Sequence, residues 1–98
     1  MARISPERLR ALIAEELPRA ISTRRDLHMH PEIAYEEHRT AEVIRRALQE
    51  AGIEFRGGLA GGTGTLAHLP GRGGHRATGH RATGHRATGL RADIDALP

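Results

Sequence analysis

The 98-residue chain has no Cys, no Trp and no Lys, and only one Phe and one Tyr. Without Cys there can be no disulfide framework, no thiolate zinc site and no cysteine nucleophile, so a metal site would need His, Asp or Glu. The same absence suits a reducing compartment, and the sequence predicts a cytoplasmic protein. No run approaches the roughly 18 apolar residues of a membrane span, and residues 1–10 lack the apolar stretch of a signal peptide, so no membrane partner is expected. The scarcity of aromatics bears on stability. Hydrophobic residues make up 38% of the chain, but 15 of them are Ala, and Leu, Ile, Val and Phe together number 19. A chain of this size buries only about two-thirds of its unfolded surface, which predicts a thin core and marginal stability. All 15 basic residues are Arg, set against 12 acidic residues for a net charge of +3. The excess lies in the second half, since residues 1–56 hold ten Arg and ten acids while residues 57–98 hold five and two.

The first half reads as helical. Ser5-Pro6-Glu7 is a helix start: Ser caps free amides, Pro is tolerated in the first turn and Glu favours the positive end of the dipole. Leu9, Leu12, Ile13, Leu17, Ala20 and Ile21 then fall on one face. Pro18 removes an amide donor, which predicts either a kink or a second helix starting there. Pro31 disfavours helical geometry at His30, so the segment should end near Met29. Residues 36–51 give the clearest pattern, with Ala41, Ile44, Leu48 and Ala51 on one face, Glu42 one turn before Arg46, and Gly52 as the stop.

The second half reads as strands. Ile53-Glu54-Phe55 alternates, Gly57-Gly58 and Gly61-Gly62 break the pattern, and Gly64 to Leu69 suggests a further strand before the Pro70-Gly71 turn. An exact tandem repeat, His-Arg-Ala-Thr-Gly, occupies 75–79, 80–84 and 85–89. Its unit is too short for a solenoid, so it reads as an expanded loop, costing on the order of 1 kcal/mol in closure entropy. From Leu90 to Asp95 the alternation returns, with Leu90, Ala92 and Ile94 on one face and Arg91, Asp93 and Asp95 on the other. As a strand, this would set the two carboxylate-bearing α-carbons about 7 Å apart at the carboxyl end, where open α/β sheets place ligands.

Several residues could carry chemistry. Asp93 and Asp95 could supply oxygen donors to a divalent cation or orient a ligand His, or simply end a solvated strand. His28 and His30 could share a metal only if the chain is extended there, because residues two apart on a helix point about 200° apart; a packing or helix-terminal role is the expectation. Glu36 and Glu37 read as first-turn partners of the helix dipole rather than a general base. His75, His80 and His85 could form a weak metal tract, and Arg76, Arg81 and Arg86 could touch phosphates, but no aromatic accompanies them, so nucleic acid is not an expected partner. Gly61-Gly62-Thr63-Gly64 lacks the ending of a phosphate loop and precedes a strand rather than a helix.

Taken in order, Arg24-Arg25-Asp26-Leu27-His28-Met29-His30-Pro31-Glu32, the helix with Glu37 and Thr40, Gly62-Thr63-Gly64, and Leu90-Arg91-Ala92-Asp93-Ile94-Asp95-Ala96-Leu97-Pro98 resemble the amino-terminal part of a metal-dependent amidohydrolase. The family is the aminoacylase, hippurate hydrolase and auxin-conjugate hydrolase group, related to carboxypeptidases. The resemblance implies an α/β fold: the amino-terminal helices and first strands of a zinc-peptidase-like catalytic domain, incomplete in this chain. Residues 1–52 would be helical and 53–98 would hold strands with the repeat-expanded loop at 75–89. It further implies hydrolysis of the amide bond of an N-acyl amino acid or similar conjugate, a small-molecule substrate, and a homodimer in the full-length family. The cofactor implied is a pair of divalent metals, zinc, manganese or similar, that activate water while a Glu takes the proton. By position Asp95 resembles the aspartate that orients a metal-ligating His. Asp93 stands where relatives have a ligand His, which leaves no metal ligand assigned in this chain.

The resemblance also places a Cys-Gly-His-Asp type motif and further His and Glu residues beyond Pro98, so the 98-residue chain alone is expected to be inactive and to bind no metal at a native site. Two other readings remain open from the sequence: a small non-enzymatic module that binds through its helical face or the Arg/His repeat, and a nonfunctional remnant.

Overall fold

The computed structural model describes residues 3–71 and 87–98. The copies of the repeat at 75–79 and 80–84 lie outside these residues, as do His85 and Arg86 of the third. The proposed His75, His80 and His85 tract and the Arg76, Arg81 and Arg86 contacts therefore fall outside them too.

Helix α1 spans Pro6–Met29. Ser5 is its N-cap, with Oγ accepting from the Arg8 amide at 3.1 Å, so one otherwise orphaned donor of the first turn is satisfied. The helix runs through Pro18 without a break. Of the two readings of Pro18, a second helix is thus excluded, because losing one donor leaves the rest of the ladder to carry the helix across. The chain leaves helical geometry at His30, whose amide closes on the Leu27 carbonyl at 3.1 Å just before Pro31.

Helix α2 spans His38–Glu50, starting two residues later than the sequence suggests. Its end follows from Gly52, which adopts φ 70°; the Gly52 amide bonds to Gln49 O and the Ile53 amide to Leu48 O, closing off carbonyls the helix leaves open. Glu42 accepts from Arg46 at 3.4 Å, the expected one-turn pair, and also from Arg45 at 3.2 Å.

Strands β1 (Glu54–Leu59) and β2 (Gly64–His68) form an antiparallel hairpin with Arg56 opposite Leu66 and Leu59 opposite Gly64. The register shifts between Arg56 and Leu59, so Gly57-Gly58 does not end the strand as expected. The glycines are absorbed as a bulge, with Gly58 at φ 69°. A short 3-10 turn, Ala60–Gly62, joins the strands.

Helix α2 packs on both strands, and the buried centre lies between them: Ala41 is 1% exposed, with Thr40, Thr63 and Glu37 also buried. Ala41 is the single buried apolar residue among those described, and no large side chain there is fully enclosed, in keeping with a thin core. The apolar face of α1 stays largely open to solvent: Leu9, Ile13, Leu17 and Ile21 are exposed and Leu12 is half-buried.

The expected strand at Leu90–Asp95 does not form, and residues 87–98 carry no regular secondary structure. A strand needs a neighbour to complete its ladder, and the described sheet holds only β1 and β2. Among the described residues its one backbone hydrogen bond to the rest of the chain is from the Ala96 amide to the Glu32 carbonyl, at 2.7 Å.

Candidate functional site

The two aspartates that the sequence singles out lie in the irregular segment. Asp93 accepts from Arg91 Nη2 at 2.8 Å in an exposed pair, and Asp95 is exposed with no hydrogen bond to its carboxylate among the described residues. With no strand to fix their spacing, the shared face argued from alternation is not formed. Only Ile94 between them is half-buried.

One residue beyond Asp95, the chain meets the most connected part of the structure. Glu32 offers its backbone carbonyl to Ala96 and its carboxylate to the first turn of α2. Its Oε2 accepts from the Arg39 amide at 2.8 Å, and its Oε1 accepts from the Thr40 amide and the Thr40 hydroxyl, both at 2.6 Å. Helix α2 has no side-chain cap from its own N-cap residue, Glu37, so a carboxylate from the preceding loop takes that role. Partial burial raises the Glu32 pKa, but the bonds from Thr40 and the Arg39 amide outweigh it, and the group lies below its ordinary value of 4.5.

Arg39 carries the network back to α1. Its Nη2 donates to both oxygens of Asp26, at 2.8 and 3.0 Å. The hydrogen bond from Arg39 holds Asp26 below its ordinary value of 3.8 against an opposing effect of burial, and the same bond raises Arg39. His30 joins from the end of α1, its Nδ1 2.9 Å from the Asp26 carbonyl oxygen. His28 is in the last turn of α1 and His30 at its cap, so both have helix-terminal positions.

Glu37 is the N-cap of α2 and not a residue of its first turn. It is buried, and its Oε1 accepts from the Thr63 hydroxyl at 2.9 Å. Glu36 stays exposed. Thr63, between Gly62 and Gly64, thus serves to bind the hairpin turn to the loop before α2, and β2 follows it directly.

No three His, Asp or Glu residues gather into a metal-binding group among the described residues. An open depression of about 430 Å³ on the hairpin is lined by Ile53, Glu54, Phe55, Arg56, Leu66 and His68, and neither Asp93 nor Asp95 borders it. No helix of the described residues is long and apolar enough to cross a membrane.

Sequence reasoning missed Asp26, Glu32 and Arg39 as a connected set, and missed the separate bond between Thr63 and Glu37. The available signal was the weak natural cap at Glu37: a helix whose first turn lacks a capping side chain of its own needs an acceptor from elsewhere, and Glu32 is one of the acidic residues in the loop just ahead.

The chain is similar to several bacterial proteins. It is 40% identical over 80 residues to the N-acetylcysteine deacetylase of Bacillus subtilis, covering 82% of this chain and 18% of that protein. It is 36% identical over 83 residues to an uncharacterized hydrolase of Staphylococcus haemolyticus, covering 85% and 18%. It is 33% identical over 90 residues to a probable hydrolase of Synechocystis, covering 92% and 20%. The chain resembles part of a hydrolase. It spans no more than a fifth of the length of these relatives. No family model and no solved structure matches it.

Proposed function

We propose that the chain is a structural portion of an enzyme that hydrolyses the amide bond of N-acyl amino acids or similar conjugates. Such a reaction adds the oxygen of water to the acyl carbon, breaks the C–N bond and passes a proton to the departing amine, giving a carboxylic acid and an amino acid. The observation that carries the reading is the 40% identity over 80 residues to a protein named N-acetylcysteine deacetylase. The role proposed for Asp95 is that of a carboxylate orienting a neighbouring catalytic side chain, by its place in the Asp93-Ile94-Asp95 motif.

The amidohydrolase resemblance implies divalent metal, zinc or manganese. The described residues do not fit it: Asp93 is paired with Arg91, and no three-residue donor set exists among them. The contribution proposed for this chain is therefore scaffold and orientation, and the 98 residues alone are proposed to be inactive.

A chimera tests this reading. The matching 80 residues of the deacetylase are exchanged for those of this chain, and amine release from N-acetyl amino acids is followed beside the isolated chain. Hydrolysis by the chimera and none by the isolated chain supports the proposal. A folded chimera without activity, or an isolated chain that hydrolyses these substrates, counts against it.

A further inference from the structure

We infer that Glu32 is the positioning residue for the Asp93–Asp95 segment. The inference deepens the proposed role of Asp95 and rests on that reading for its functional meaning, while its structural content stands on geometry alone. Residues 87–98 have no ladder to hold them, and Ala96, next to Asp95, is attached through a single backbone bond of 2.7 Å to the carbonyl of Glu32. That carbonyl is itself held in place because the side chain of the same residue is fixed by three donors: the Arg39 amide, the Thr40 amide and the Thr40 hydroxyl. Arg39 in turn grips Asp26 with two bonds. Glu32 therefore joins three separate parts of the chain, with its side chain on α2, its main chain on the Asp95 segment and, through Arg39, a link to α1. A residue that merely capped α2 would stabilise the helix and leave residues 93–96 untouched. The 2.7 Å bond is what makes the two ends of Glu32 interdependent.

The groups that act on the Glu32 carboxylate, Arg39, Thr40 and His38, all belong to α2, and none is an acid. The bond to Ala96 comes from the main chain, so a change of the side chain reaches that bond through the backbone of residue 32.

The test is amide hydrogen exchange by NMR on the full 98-residue chain, comparing Ala96 with the hairpin amides of β1 and β2. Glu32→Ala should speed exchange at Ala96 about tenfold and shift the Asp95 and Ala96 amide resonances, with the hairpin unchanged. Glu32→Gln, which keeps one oxygen for Thr40, should restore part of the protection. Thr40→Val, which leaves the residue 32 backbone intact and removes one donor, should give a smaller acceleration in the same direction, and it carries the test if Glu32→Ala fails to fold. Unchanged exchange at Ala96 in all three variants, or acceleration matched by the hairpin, would overturn the inference. These readings need no catalysis, so their failure is separate from failure of the amidohydrolase reading, which the activity of the chimera decides.

Discussion

The Thr63 hydroxyl donates to Glu37 Oε1 at 2.9 Å across 26 residues of sequence, and both partners are buried. This bond fastens the hairpin turn to the start of α2. Thr63→Val keeps the shape of the side chain but leaves a buried carboxylate oxygen without its donor, which costs roughly 1–3 kcal/mol. Thr63→Ser should cost less. Urea denaturation checks both, and equal midpoints for Thr63→Val and the unaltered chain would refute the assignment.

Acid should act through Asp26 and Glu32. Both are held below their ordinary values of 3.8 and 4.5, so the folded state keeps them ionised where the unfolded chain takes up protons. Their contribution is fully present above about pH 4.5 and is lost as the pH falls through the lower folded values. Melting temperature should therefore decline below about pH 4.5, and the decline should be shallower in an Asp26→Asn, Glu32→Gln double variant. An identical slope in that variant would show that other groups govern acid sensitivity.

The exposed face of α1 should tolerate substitution better than the buried face of α2. Ile13→Glu places charge where the side chain already meets water, and its effect should stay within about 0.5 kcal/mol. Ala41→Leu forces three extra heavy atoms into a site 1% exposed and should destabilise by roughly 1–3 kcal/mol. A reversed order in thermal melts would mean that α1 packs through its apolar face in solution.

Gly64 faces Leu59 across the hairpin. A Cβ there would lie 3.1 Å from the Leu59 carbonyl carbon and oxygen and from Ala60 Cβ, so backbone has to give way. Gly64→Ala should cost roughly 1–3 kcal/mol. At Gly57 the close neighbour is the flexible Arg45 side chain, 2.9 Å away at Cδ, which can swing aside. The Gly57→Ala melt should lie nearer that of the unaltered chain than the Gly64→Ala melt.

Local signals in the sequence carried the helices well. Ser5-Pro6, Gly52 and the spacing of Glu42 and Arg46 each act within one turn, so their consequences are readable without knowing the rest of the fold. The strand expected at Leu90–Asp95 does not form because alternation shows only that a segment could pair, while pairing requires a partner that no stretch of local sequence specifies. The same limit hid the network at Glu32. Its carboxylate reaches the amides of residues seven and eight positions on, and Thr63 reaches Glu37 from a different supersecondary unit. Charge at Glu37 was legible, but its burial was not, since burial depends on what packs above it.

Helix α1 is tied to the remainder by ion pairs in its carboxyl-terminal half, Asp26 with Arg39 and the exposed Arg19 with Glu50. The half before Pro18 is in effect a cantilever, kept helical by its own ladder and the Ser5 cap, and isolated helices of that length are marginal in water. Fraying should begin at the free end, so among the helical sites limited trypsin digestion should cut after Arg8 and Arg10 of α1 before it cuts after Arg39 and Arg45 of α2.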